Sequence, residues 1–261
     1  TFVNPKAGVT LALTPHVSAY ASYGVNAREP ARNDLLGGLD NVDSSSVAFV
    51  APLTRVRPEH AHDLEAGVRL RRERVSLDAN VFSMQFRDEI LPIGQLSYIG
   101  TPLRVNVHSS WRRGVELDAT ATPTARVELG LTATAMRARI ADFVDESTGQ
   151  EYRDVEPLLT PRFTSSQRAR IALAPQLSVS LAGRFSSRAQ LDNTGNADLV
   201  LPASYVVDGS LDWTRGTRGV SLFVNNLTNT HRFGSGHVAF GEARYYVLPP
   251  INAFLLVRLG T

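Results

Sequence analysis

The chain has 261 residues, 43% of them hydrophobic, a formal net charge of +2 and no cysteine. The missing cysteine excludes thiolate catalysis, disulfides and Cys-based zinc sites, and no apolar run approaches the roughly 20 residues of a membrane-spanning helix. Every basic residue but Lys6 is arginine, and the arginines are scattered among 25 acids rather than clustered into a basic stripe, so no nucleic-acid partner is expected.

In chain order, the sequence reads as strands joined alternately by tight turns and long polar segments. The turns fall at Thr14–Pro15, Arg72–Glu73, Thr122–Thr124, Pro175–Gln176 and Arg215–Arg218. The long segments are Val25–Ala61, Leu91–Val107, Ala141–Arg162, Leu191–Pro202 and Asn229–Leu248. Between them side chains alternate with period two. Leu64, Ala66, Val68 and Leu70 oppose Glu65, Arg69 and Arg71, and Val115, Leu117, Ala119 and Ala121 oppose Glu116, Asp118 and Thr120. Val127, Leu129, Leu131, Ala133 and Ala135 oppose Glu128 and Thr132, and the strands around Leu181 and Leu211 repeat the rule. One strand changes phase, from Val75, Leu77, Ala79 and Val81 to Phe82, Met84 and Phe86, which predicts a bulge near Val81. The terminal segment Pro249–Thr261 carries Ala253, Leu255, Val257 and Leu259 on one face, with Asn252 and Arg258 on the other.

This pattern fits two architectures, a soluble β-sandwich and a transmembrane β-barrel whose apolar face meets lipid. Strands of about ten residues match the ~9 to 11 needed to cross a bilayer at a tilt. Tyr20, Tyr23, Trp111, Tyr205, Trp213, Tyr245 and Tyr246 lie mostly near strand ends, where an aromatic girdle sits. Both features favour the barrel. Long connections at one end and tight turns at the other suit an outer-membrane protein with its loops outside.

Several segments together resemble the TonB-dependent outer-membrane receptors. They are Asn4–Val9, Ala19–Gly24 running into Arg28-Glu29-Pro30-Ala31-Arg32-Asn33-Asp34, Leu64–Arg69, Arg113–Leu117, Val224–Asn229 and the terminal strand, in the family's order. The resemblance implies an all-β fold, an antiparallel up-and-down transmembrane barrel of roughly 22 strands around an amino-terminal plug. About eleven strands are visible in residues 1–261, so the chain resembles the carboxy-terminal part of such a barrel, with the plug domain absent from it. Thr1-Phe2-Val3 begins in mid-pattern without a signal segment, as in a piece of something longer. The implied function is TonB-dependent active uptake of a bulky nutrient, a ferric siderophore foremost, across the outer membrane of a Gram-negative bacterium. Implied partners are outer-membrane lipid, the protein's own plug and remaining barrel strands, the TonB complex through the plug, and a small-molecule metal chelate as substrate. A passive porin or structural barrel is the alternative, and a soluble binding sandwich the third reading.

On this resemblance the inward face carries Glu65, Arg69, Glu116, Asp118, Glu128, Arg168, Arg170, Arg184, Asp208 and Asp212, expected mainly to form the wall and dock the plug through hydrated pairs. Ligand contact is expected at loops and rim, from Arg28, Arg32, Asn33, Asp34, Gln95, Tyr98 and Arg104, because arginine with tyrosine suits an anionic aromatic chelate. A competing reading makes the string from Arg28 to Asp34 a structural rim whose Arg and Asp pair with each other. His60 and His62, or His231 and His237, share a segment, but no third ligand stands at metal-site spacing, so neither metal site nor cofactor is expected. His108 beside Ser109 and Ser110 has no catalytic geometry, since strand neighbours point to opposite faces, and no phosphate-binding glycine loop appears. No enzyme activity and no catalytic residue are expected.

Overall fold

The computed structural model describes residues 2–37, 39, 43–50, 55–97, 99–145 and 148–260. Among these, sixteen strands occur in chain order: β1 Lys6–Thr14, β2 Val17–Arg28, β3 Glu59–Arg72, β4 Val75–Leu96, β5 Pro102–Thr124, β6 Val127–Asp145, β7 Gln150–Val155, β8 Phe163–Ala174, β9 Leu177–Ser186, β10 Ala189–Gln190, β11 Val200–Leu201, β12 Ser204–Arg215, β13 Arg218–Asn225, β14 Phe233–Ala239, β15 Glu242–Val247 and β16 Asn252–Arg258. Two short helices, α1 Arg32–Leu36 and α2 Val47–Val50, lie between β2 and β3.

The chain is all-β. One antiparallel sheet runs in the order β1-β2-β3-β4-β5-β6-β8-β9-β12-β13-β16, with β7 paired to β6 off this path, and β10-β11 and β14-β15 form separate ribbons. Sequential neighbours pair throughout, as in an up-and-down wall. The eleven strands of the path agree with the number legible in the sequence.

Directly paired residues in an antiparallel sheet share a face, so the register joins the alternation of single strands into two continuous surfaces. Ala21, Ala66, Val81, Val115, Ala135 and Phe163 form one row across six strands. Ser18, Arg69, Asp78, Asp118, Thr132, Ser166 and Arg184 form a row on the other face. A soluble sandwich buries its aliphatic rows against a second sheet. Here Val9, Leu11, Leu64, Val68, Val81, Val115, Leu129, Leu181 and Leu211 are all exposed, and such a continuous apolar face marks a surface for lipid. No helix among the described residues is long and apolar enough to cross a membrane.

Three expectations need correction. No bulge occurs near Val81, for β3 and β4 stay in register from His60↔Arg87 to Arg72↔Val75. Phe82, Met84 and Phe86 stay on the polar face: the Phe82 ring covers Gly114, where an added Cβ would lie 2.8 Å from it, and Phe86 lies under the Arg112 guanidinium at 4.6 Å. The polar face thus accepts aromatics that cover a glycine or stack under a cation. The third turn falls at Ala125–Arg126, because β5 continues through Pro123 to Thr124. Nor are the long segments open loops. β4, β5 and β6 run 22, 23 and 19 residues, about twice the length a bilayer needs, and β7, β10, β11, β14 and β15 fill much of the rest.

The extensions hold the chain's apolar core, Leu91, Val107, Ile140 and Phe143 with Ile93, Val105, Tyr152 and Val155 against them. The wall has no such core and relies on its ladder and cross-strand contacts. Tyr20 lies over Gly67 and under Arg69, whose guanidinium carbon is 4.2 Å from the ring centroid. A Cβ at Gly67 would meet the Tyr20 ring at 2.7 Å and the Ala79 carbonyl at 2.6 Å. Gly67→Val should therefore destabilise the wall by roughly 1–3 kcal/mol through overpacking, seen as a lower unfolding temperature in detergent, whereas Gly24→Ala, whose added Cβ would meet nothing closer than 3.5 Å, should change it far less.

Candidate functional site

The outer rim begins where Pro30 ends β2, having no N–H to give a ladder. Ala31 caps α1, and the Asp34 carboxylate reaches back to accept the Ala31 N–H at 2.8 Å, the acidic half of a capping box. Gly37, at φ 57°, closes the helix in the left-handed conformation, its N–H donating to the Asn33 carbonyl at 3.0 Å. Farther along the loop Asp43 accepts hydrogen bonds from the Ser45 hydroxyl and from the Ser45 and Ser46 amides, which hold its carboxyl below the usual carboxylate range.

Asp34 is buried, and two arginines converge on it. Arg28 Nη1 lies 3.1 Å from its Oδ2 and Arg104 Nε 3.5 Å from its Oδ1. Arg28 also grips Glu59 with Nε at 3.1 Å and Nη2 at 3.3 Å, and Glu59 accepts the Ile90 N–H at 2.9 Å. Strands β2, β3, β4 and β5 are thus tied at the rim by one hydrogen-bonded ion network. Glu59 was missed in the sequence, where only its position directly opposite Arg28 at a strand start could have signalled it. Arg32 and Asn33 lie in α1. Tyr98 lies outside the described residues.

Beyond the rim is a cavity of about 640 Å³ between the ends of β4, β5 and β6, the β7 hairpin, the 192–199 segment and β14. Gln95 and Arg104 line it together with Ile93, Leu103, Val105, Phe143, Tyr152, Asp192 and Val238. It is apolar in body with few polar groups, the usual make-up of a small-molecule site. Asn193, fully buried, fixes one wall by donating to the Pro92 carbonyl at 3.0 Å and accepting the Leu158 N–H at 2.9 Å. Tyr245 joins the β14-β15 ribbon to it, its hydroxyl donating to the Val200 carbonyl at 2.9 Å.

The ten polar-face charges named from the sequence share one face by register. Arg69 lies 3.3 Å from Asp78, Arg184 pairs with Asp208, and Glu128 stands directly opposite Arg170. Asp208 also accepts the Asn226 N–H at 2.8 Å. Asn226, fully buried at φ 53°, donates to the Thr230 carbonyl and accepts the Thr230 N–H, both at 3.0 Å, while Asn229 accepts the Ile251 N–H at 3.0 Å. The Val224–Asn229 segment is therefore a knot that turns the chain back toward β16.

The remaining polar residues of interest are engaged elsewhere. His62 accepts or donates at 2.6 Å with the Tyr23 hydroxyl, His108 lies 3.5 Å from Asp88, and Ser110 bonds the buried Glu89, which Arg112 meets at 2.7 Å. Among the described residues no group of three or more His, Asp or Glu could hold a metal ion.

Residues 1–227 match the family model described as TonB dependent receptor-like, beta-barrel. No curated protein matches. Among solved structures, the ferric-catecholate import receptor Fiu from E. coli K12 in its closed form superposes with a TM-score of 0.71 at 20% identity, over 97% of this chain and 34% of that one. The siderophore receptor PiuA from Acinetobacter baumannii gives 0.72 at 18%, over 97% and 35%. The ferric yersiniabactin uptake receptor FyuA from Yersinia pestis gives 0.70 at 17%, over 96% and 36%. The chain spans about a third of the length of these receptors.

Two outcomes test the site. Asp34→Ala should cost about 1–3 kcal/mol, because it strips the partner from two arginines and a helix N–H, and should speed proteolysis between residues 29 and 58 while the barrel stays assembled. Asn226→Ala should lower stability by on the order of 2–3 kcal/mol, read as a drop in unfolding temperature. The sheet of this chain is the wall of a receptor barrel, and the chain belongs to the TonB-dependent receptor β-barrel family.

Proposed function

We propose that the protein containing this chain takes up a bulky nutrient, a ferric siderophore foremost, across the outer membrane of a Gram-negative bacterium, using energy delivered through TonB. The observation that carries the reading is that almost the whole chain superposes on about a third of three receptors whose names describe siderophore or iron-chelate import, in a sheet whose exposed aliphatic face suits lipid.

In this reading each surface has its task. The apolar face meets lipid hydrocarbon, and the polar face lines the lumen, where Glu65, Arg69, Glu116, Asp118, Glu128, Arg168, Arg170, Arg184, Asp208 and Asp212 form a hydrated wall against a plug domain that this chain does not supply. Hydrated pairs are individually weak, which suits an interface that must loosen when the plug is pulled. β1 and β16 end the strand path, and strands from the rest of the protein complete the barrel, since unpaired amides are costly in hydrocarbon.

The rim separates into a scaffold and a contact surface. Arg28 and Asp34 hold α1 and four strand ends, while Gln95 and Arg104 face the cavity and are the ligand-contact candidates. Arg104 is both, its guanidinium directed at Asp34 while lining the cavity, so an anionic ligand would compete with Asp34 for it. Arg32, Asn33 and Tyr98 complete the candidate set named from the sequence.

An iron-starved strain deleted for the gene and complemented with variants tests the reading with labelled ferric chelates. Uptake should saturate and vanish without TonB, and Gln95→Ala/Arg104→Ala should weaken chelate binding about tenfold, the loss of one charge-assisted contact, with the receptor still at the surface. Linear, TonB-independent flux would favour the passive porin instead.

A further inference from the structure

The apolar face ends abruptly at a group of arginines. One residue pair beyond the row of Val81, Val115 and Ala135, Arg113 and Arg137 stand directly opposite each other on β5 and β6. Both are exposed. Like charges in directly opposed positions destabilise a sheet, and these two project from the face that carries the exposed aliphatics. The Arg113 guanidinium carbon lies 4.9 Å from the Trp111 ring centroid, and Arg87 follows two rows farther out, opposite Ser109. Among the described residues, none of these three arginines has a carboxylate at ion-pair distance. The neighbouring Arg139, by contrast, is held by Glu156 at 3.0 Å and Asp154 at 3.4 Å.

We propose that Arg113 and Arg137, with Trp111 and Arg87 around them, form a site on the membrane-facing side of the wall for the phosphate of an anionic lipid headgroup. The inference rests on the barrel reading above. It is carried by three observations together: an unneutralised arginine pair, its place at the edge of a wholly apolar row, and an indole at the same level, where aromatic belts mark the membrane boundary. A phosphate lies just beyond the hydrocarbon, and two forked guanidiniums can flank its oxygens as they would those of a carboxylate. The arginine stems stay against acyl chains while their heads reach the headgroup level. An anion between them converts the repulsion of the pair into two attractions. This site is separate from the cavity and the lumen, which lie on the other side of the sheet or beyond its rim.

The intact receptor containing this chain, reconstituted in nanodiscs of phosphatidylcholine with increasing phosphatidylglycerol, and purified in non-ionic detergent for binding of the same lipids, provides the test. The wild type should prefer phosphatidylglycerol over phosphatidylcholine, and Arg113→Gln/Arg137→Gln should lower that preference about tenfold. Arg126→Gln, in the β5-β6 turn at the far end of the wall, should leave it unchanged. In lipid-free detergent the double variant should melt no lower than wild type, since it removes a repulsion, and the wild type alone should gain stability when phosphatidylglycerol is added. An equal preference in wild type and double variant, with both inserted in the bilayer, overturns the site and leaves the barrel intact. Failure of the wild type itself to partition into bilayers overturns the barrel reading instead.

Discussion

Backbone hydrogen bonding in a medium without water is the constraint on which the remaining structure depends. Each amide within hydrocarbon must find its partner in the next strand, and the described wall meets this by pairing successive strands of the path antiparallel in long registers. Once the ladder is continuous, side-chain chemistry is forced to alternate. Aliphatics then occupy one surface and charges the other without any packed interior. Stability in the wall is therefore distributed along the ladder and in contacts such as Tyr20 over Gly67, while a conventional apolar core forms only where the strands leave the membrane level.

Ion pairs do different work at different depths. At the rim, Asp34 is buried and receives two guanidiniums and a helix N–H, so the network fixes geometry and joins four strands. On the polar face the pairs Arg69–Asp78 and Arg184–Asp208 are partly exposed, where water competes and each contributes little. On the outer face the opposed arginines have, among the described residues, no carboxylate at ion-pair distance. One residue type thus serves as clamp at the rim, in partly exposed pairs on the polar face and as an exposed cation on the outer one, according to what the fold sets beside it.

The wall was largely legible in the sequence. Period-two alternation from Leu64 to Arg71 and from Val115 to Thr120 assigned faces that the register reproduces, and the turns at Pro15, Glu73 and Pro175 carried their own chemistry. The phase change at Phe82 was misread because polarity was used as the sole sign of an inward face, whereas Phe82 and Phe86 are inward by covering Gly114 and stacking under Arg112. The extensions were hidden for a related reason. Beyond the bilayer no medium enforces alternation, so strand sequences such as Glu89–Leu96 lose their period and resemble loops. The rim network was only half visible, since Arg28 and Asp34 lie six residues apart while Glu59 arrives from across a long connection.

The long ribbons of β4, β5 and β6 bear on how the outer cavity meets a guest. Side chains such as Val105 and Phe143 stand on hydrogen-bonded, core-backed strand rather than on free coil. Much of the conformational freedom that mobile loops surrender on capture has already been given up during folding. In the proposed uptake role, discrimination on this side of the cavity would accordingly be a matter of shape fixed in advance.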